Sequence, residues 1–265
     1  MIRCDIAVVG AGPAGLFAAC YAGMRGLSVG LVDALREPGG QISALYPEKI
    51  VRDVAGLPAV RGRELVDSLV AQLAPFHPRM LLGRQATTLD DAPGDRFRLG
   101  FADGSAVDTG AVVITGGIGS FTPRPLPCGE DFLGRGLTYF VHDPAELTGR
   151  RVLVVGGGDS ALDWAEALQH NATVTLVHRR GTFRAQQHTV AQVLTGPATV
   201  RTNTVVERLH GETRVTAAVL RDTTSGRTTV VDCDHVVAAL GFVANPGPLL
   251  RWGLRARDRR IVVDP

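Results

Sequence analysis

Ile6-Ala7-Val8-Val9-Gly10-Ala11-Gly12-Pro13-Ala14-Gly15 opens the chain and decides its fold. Four apolar residues of strand length run into three spaced glycines, and then into a stretch rich in alanine and leucine. The plan returns as Val152-Leu153-Val154-Val155-Gly156-Gly157-Gly158-Asp159-Ser160-Ala161. In each copy the first glycine permits a tight strand-to-helix turn. The second leaves the backbone open to a close approach, and the third small residue lets helix and strand pack together. The strand that follows the first copy ends Gly30-Leu31-Val32-Asp33, and the one that follows the second ends Leu176-Val177-His178-Arg179-Arg180. Asp33 lies 23 residues after Gly10 and Arg179 lies 23 residues after Gly156, so one slot reads as acidic in the first repeat and basic in the second.

That contrast carries chemistry. A pyrophosphate fits on the exposed N–H groups of a helix N-terminus, where the dipole presents roughly half a positive charge. A carboxylate at the end of the second strand accepts hydrogen bonds from ribose hydroxyls, whereas arginines there favour a 2′-phosphate. The first repeat therefore reads as an FAD site, built from Gly10, Gly12, Pro13, Ala14, Gly15 and Asp33. The second reads as an NADPH site, built from Gly156, Gly158, Asp159, Ser160, His178, Arg179 and Arg180.

Two such units in 265 residues predict an α/β protein of two Rossmann-like, doubly wound, three-layer domains. The boundaries read as 1–118 for the first part of the FAD domain, 119–242 for the NADPH domain and 243–265 for the start of a return to the first. Proline-rich Pro123, Pro125 and Pro127 mark the linker. Arg36–Lys49 reads as a loop, Gly62–Leu73 and Ala161–Leu168 as helices, and Arg84–Asp108 as a small antiparallel sheet turning at Asp103-Gly104.

Composition sets the remaining bounds. A formal net charge of +2 and 5% aromatic residues give no electrostatic or stacking case for nucleic acid. Apolar runs are no longer than strands, so no membrane span is expected, and the first strand begins too early to leave room for a signal peptide. A cytoplasmic location is the resulting expectation. Cys4, Cys20, Cys128 and Cys233 form no C-x-x-C pair and read as small hydrophobes. The histidines lack metal-ligand spacing, so no metal is expected. Gly158-Asp159-Ser160-Ala161-Leu162 is not a nucleophile elbow, so no serine nucleophile is expected either. Trp164 reads as core or a subunit contact. Arg251, Arg255, Arg257, Arg259 and Arg260 form a basic cluster that is either a solvated edge or a docking surface for an acidic partner.

Several stretches resemble the thioredoxin-reductase-like branch of ferredoxin–NADP⁺ reductases, of the pyridine nucleotide-disulfide oxidoreductase type. They are Gly39-Gly40-Gln41-Ile42-Ser43-Ala44-Leu45-Tyr46-Pro47-Glu48-Lys49, Tyr139-Phe140-Val141, Gly156–Trp164 and His178–Ala185. Thioredoxin reductases carry a C-x-x-C before the second fingerprint; here that region reads Leu137-Thr138-Tyr139-Phe140-Val141-His142-Asp143. The resemblance implies that Gln41 and Tyr46 contact the flavin, with Tyr46 stacking on it, although from the residues alone Tyr46 reads as packing the loop. It also implies flavin contacts at Ala86 and Phe121, and Arg184 joining Arg179 and Arg180 on the 2′-phosphate. The implied activity passes electrons between NADPH and ferredoxin or flavodoxin through FAD, with no catalytic side chain and in a homodimer. Members of that family continue into a strand, a Gly-Asp motif, a final helix and an aromatic-bearing tail beyond the point matched by Pro265. Two other readings stay open: another NADPH-dependent FAD oxidoreductase without the dithiol, and a truncated, non-catalytic nucleotide-binding remnant.

Overall fold

In the computed structural model, residues 2–245, 247–257 and 260–263 are described. The side chains of Phe121, Ala244 and Arg260 lie outside that description. The chain forms two compact units, Met1–Phe121 with Ala244–Pro265, and Thr122–Val243. It passes between them twice, along Ser120–Pro123 and Phe242–Asn245, which pair as a two-stranded ribbon.

The first unit is built on a six-stranded sheet. Its centre is Ile2–Val9, flanked in parallel by Val29–Val32 and by Ala106–Ile114. The register Val9↔Val32 and Val9↔Ile114 aligns the carboxyl ends of these three strands. Val8 packs with Leu16, Ala19 and Cys20 of the helix Pro13–Met24, and with Leu65 and Val66 of the helix Gly62–Leu73. Ala7 and Val9 face the opposite cluster, which holds Leu99, Phe101 and Val107 from the antiparallel strands. Alternation along the strand thus buries both faces, as a central parallel strand requires. Pro13 opens its helix at the first position, where a missing N–H costs nothing.

Three local expectations change. Arg36–Lys49 is not all loop, because Gln41–Leu45 turns into a short helix that buries Ile42 and Leu45. The segment after Arg84 does not make a separate sheet. Ala106–Ile114 is one strand, paired on one side with Arg96–Phe101 and on the other with Ile2–Val9, so it joins the antiparallel strands to the parallel ones. The helix expected at Ala161 begins earlier, at Asp159.

The second unit repeats the parallel core in five strands, with Arg151–Val155 between His235–Ala238 and Thr173–Val177. Asp159–Leu168 buries Ala161, Leu162, Trp164, Ala165 and Leu168, so Trp164 is core. On the sheet's other side Leu153, Val155 and Val236 pack with Val206, Leu209, Ala218 and Leu220, from the separate antiparallel sheet Thr204–His210, Ala217–Asp222 and Thr228–Asp232. The third layer is therefore made of strands. Sequence alternation in those strands gave their existence but not the layer they form.

Residues 247–257 return to the first unit. Leu249 and Trp252 are buried in the cluster that holds Ala7, Val9 and Phe101, and the Trp252 indole N–H donates to the Thr87 carbonyl at 3.2 Å. A buried aromatic with its polar tip satisfied contributes large apolar area without an orphaned donor.

Candidate functional site

Each fingerprint is fastened by its own backbone. The Gly10 N–H donates to the Val32 carbonyl at 2.8 Å, and Thr115 Oγ1 donates to the Gly10 carbonyl at 2.8 Å. Gly10 has φ of +115°, and a Cβ there would stand 2.5 Å from the Thr115 carbonyl oxygen. A Cβ on Gly156 would meet the Ala239 carbonyl in the same way. The first glycine of each unit is thus imposed by the fold.

The middle glycines are different. Gly12 has φ −71° and ψ 179°, and Gly158 has φ −101° and ψ −179°, both extended backbone that any residue adopts. A Cβ on Gly158 would meet nothing within 4 Å, and one on Gly12 would meet only the Gly40 Cα, at 4.0 Å. Neither conformation nor packing explains glycine at these two positions. What both positions share is open space over the backbone at a helix N-terminus, the room that a diphosphate requires. Ala14, Asp159 and Ser160 are exposed beside that space and Pro13 is half-buried, whereas Gly15 and Ala161 are buried against their strands.

In the first unit Asp33 closes the arrangement. Its carboxylate accepts from the Ala11 N–H at 2.6 Å and from the Leu35 N–H at 2.8 Å. A carboxylate offers about four acceptor positions, so capacity remains for a diol. The Gly39-Gly40 pair, both at positive φ, folds over the fingerprint, with the Gly39 N–H donating to the Ala11 carbonyl at 2.7 Å. That contact brings the Gln41 side chain in beside Gly117, at the carboxyl end of the sheet. Tyr46 is placed elsewhere: its half-buried ring packs against the helix-side core, with the Lys49 ammonium 5.2 Å from the ring centroid. Burial raises its hydroxyl pKa, and Asp53 adds to the shift. Ala86 is buried at the start of its strand, in the cluster on the opposite face. The side chain of Phe121 lies outside the described residues.

In the second unit hydrogen-bond register corrects the expected slot. The Gly10 N–H donates to the Val32 carbonyl, and the Gly156 N–H donates to the Val177 carbonyl. The N–H groups of Asp33 and His178 both reach the third strand, at the Leu81 and Arg201 carbonyls. The counterpart of Asp33 is therefore His178, and Arg179 stands one residue further on. The connection is one residue shorter in the second unit, so equal counts from the first glycine do not mark equal places. His178 does what Asp33 does by other means. The Asp33 carboxylate holds the N–H of the residue after the first glycine, and the His178 ring packs against the corresponding residue, Gly157. A Cβ on Gly157 would collide with that imidazole. The ring's Nε2–H donates to the Thr182 carbonyl at 3.1 Å and stacks on Phe183 at 5.2 Å. Burial pushes the His178 pKa down, and Arg180, Arg179 and Arg184 push it further, while the Thr182 bond opposes.

Burial and the arginines disfavour a charge on the imidazole, and the fixed positive charge of this loop is that of the three arginines. All three are exposed, and none has an acidic side-chain partner among the described residues. The Asp159 carboxylate accepts from the Gln186 N–H at 2.9 Å and ties this loop to the fingerprint helix. The Arg184 N–H donates to the Gly157 carbonyl at 2.8 Å, so the loop is fastened twice. Gly39, Gly40, Thr115 and Gly157 were absent from the expected site, and the paired glycines were the one signal that could have found them.

Comparison with known proteins agrees with this geometry. The pyridine nucleotide-disulphide oxidoreductase family profile matches residues 4–265. The chain is 60% identical over 265 residues to a ferredoxin–NADP reductase of Salinispora tropica, covering all of this chain and 82% of that one. It is 45% identical to the ferredoxin–NADP reductase of Thermus thermophilus, covering 98% and 79%. Among solved structures, a thioredoxin reductase of T. acidophilum superposes with a TM-score of 0.88 at 25% identity, covering all of this chain and 86% of that one. No helix of the described residues is long and apolar enough to cross a membrane. The chain belongs to the pyridine nucleotide-disulphide oxidoreductase family and, within it, to the ferredoxin–NADP reductases, flavoprotein oxidoreductases that use FAD and NADPH.

Proposed function

We propose that this chain passes electrons from NADPH to ferredoxin or flavodoxin through FAD bound in the first unit. The observation that carries the reading is the pairing of two open fingerprints with opposite charge: Asp33 in one, Arg179, Arg180 and Arg184 in the other. FAD held there would supply the exchange between two-electron hydride transfer and the single electrons that one-electron carriers require.

The chain's own residues bind and orient. Gly10, Gly12, Pro13, Ala14 and Gly15 cradle the FAD diphosphate, and Asp33 accepts from the ribose hydroxyls. Gln41, beside Gly117 at the carboxyl end of the sheet, serves the flavin, and Tyr46, Ala86 and Phe121 are assigned to it by the family resemblance alone. Gly156, Gly158, Asp159 and Ser160 receive the NADPH diphosphate, and the three arginines hold its 2′-phosphate while His178 sets the loop that carries them. Charge-assisted hydrogen bonds contribute about 1.5–3 kcal/mol each, so two of them favour NADPH over NADH by roughly a hundredfold or more.

Cysteine chemistry supports an external acceptor over a dithiol relay. All four thiols are free, with Cys4, Cys20 and Cys233 buried. Burial pushes the Cys128 thiol up and that of Cys233 to about 12, with Asp234 adding to the latter. Neither supplies the thiolate that attacks a disulfide. The test is the visible spectrum of the purified chain before and after anaerobic NADPH, followed by ferredoxin. A flavin that bleaches with NADPH and recovers with oxidised ferredoxin supports the reading; a flavin that bleaches but recovers only with a disulfide overturns the acceptor.

A further inference from the structure

The strand order of the second unit sets its binding groups in a line. The parallel sheet runs Leu137–Thr138, His235–Ala238, Arg151–Val155, Thr173–Val177, Thr199–Arg201. The register Val155↔Ala238 and Val155↔Val177 levels the carboxyl ends of the middle three. The open fingerprint follows Arg151–Val155, and the arginines follow Thr173–Val177, on one side of it. A dinucleotide with its diphosphate over Gly158 and its 2′-phosphate at those arginines carries its other half the opposite way, past the ends of His235–Ala238 and Leu137–Thr138. Neighbouring strands lie about 4.8 Å apart, so those ends stand roughly 5 and 10 Å from the fingerprint strand, within reach of a ribose and a ring.

A pair of aromatic rings stands there. Phe140 comes two residues after Thr138, and Phe242 four residues after Ala238. Their planes lie 1° from parallel with centroids 5.6 Å apart, and the His142 ring tilts against Phe140 at 6.5 Å. Neither phenyl ring is fully buried. Neither belongs to the apolar cluster of this unit, against which their neighbours Tyr139 and Leu240 do pack. The backbone between Ala238 and Phe242 adjoins the fingerprint, because the Ala239 carbonyl is the group that a Cβ on Gly156 would strike. Two stacked rings that add nothing to the core, at the ligand end of the sheet, make a surface for a third flat ring.

We propose that Phe140 and Phe242 form the platform that seats the nicotinamide ring of the coenzyme. This rests on the NADPH site proposed for the second unit and adds the side chains that hold the coenzyme's reacting end. Flat rings attract one another in offset stacks, and the oxidised nicotinamide carries a positive charge that the face of a phenyl ring attracts. Both gains are open to the whole coenzyme and closed to its adenosine half, which lies on the other side of the fingerprint.

The test is calorimetric titration of the full chain with NADP⁺ and with 2′,5′-ADP, which has the 2′-phosphate and adenine but no nicotinamide. Phe140→Leu/Phe242→Leu keeps apolar bulk and removes the aromatic faces, and Phe140→Tyr keeps the ring. The expected result is that the leucine pair weakens NADP⁺ about three- to tenfold and leaves 2′,5′-ADP unchanged, while Phe140→Tyr binds both as the wild type does. Arg179→Ala with Arg180→Ala is the converse and weakens both ligands. Binding of 2′,5′-ADP also reports that the leucine pair is folded; if it is not, Phe140→Leu alone is read in the same way. Unchanged NADP⁺ affinity in the leucine variants overturns the platform. So does an equal loss of both ligands in a folded variant, which would make the pair a support for the unit as a whole. A wild type that binds neither ligand overturns the NADPH site itself, and the two failures are told apart.

Discussion

Gly158→Ala separates what the ligand demands from what the fold demands. The position has extended backbone, and a methyl group there meets nothing within 4 Å. Replacing glycine at a compatible φ and ψ restricts the unfolded chain and stabilises by about 0.4–1 kcal/mol. In a domain of this size that raises Tm by roughly 1–4 °C. The same methyl stands in the open space that receives a diphosphate, so NADPH affinity falls by about tenfold or more, or at least about 1.4 kcal/mol. Gly156→Ala is the contrast. Its methyl meets the Ala239 carbonyl and stands 2.7 Å from the Ala161 Cβ, so stability falls by about 1–3 kcal/mol or more. The assay is thermal unfolding of both variants without nucleotide, with NADPH titration followed by fluorescence. A Gly158→Ala protein that melts clearly below the wild type refutes the packing argument. One that binds NADPH unchanged refutes the placement of the diphosphate.

Arg179→Ala with Arg180→Ala raises the KM for NADPH about tenfold or more and leaves NADH nearly untouched; equal effects on both coenzymes sink the 2′-phosphate assignment. Asp33→Ala orphans the N–H groups of Ala11 and Leu35, costing about 1–3 kcal/mol in urea denaturation, and loosens FAD; retention of FAD through gel filtration at wild-type level would contradict its role. His178 and His235 both have pKa values pushed below 6.5 by burial, so the unfolded chain binds protons more readily than the folded one. Their contribution to stability is present above pH 6.5 and lost as pH falls through the lowered values, and the urea midpoint should drop between neutral pH and pH 5; a flat or rising midpoint would be the wrong sign.

The glycine patterns made both strand–turn–helix units legible because their causes are local. A first glycine at positive φ, a second with nothing over it and a third against the strand are needs of ten consecutive residues, and they print directly into the sequence. Asp33 was legible for the same reason, sitting at the end of the very next strand. Distance in sequence hid the rest. The equivalence of Asp33 with His178 is a matter of which carbonyl each backbone N–H finds on a third strand, and no count along one chain reveals it. The strand layer of the second unit depends on Leu153 and Val236 meeting Val206 and Leu220, and alternation alone does not say what a strand's apolar face will meet. Tyr46 was ambiguous because an aromatic in a loop is equally suited to a core and to a ligand. Trp252 reaches Thr87 across 165 positions, and no local pattern announces that the chain returns to the first unit by that contact. Local conformational need determined the two nucleotide units by sequence, and long-range packing and hydrogen-bond register decided which side chains stand together.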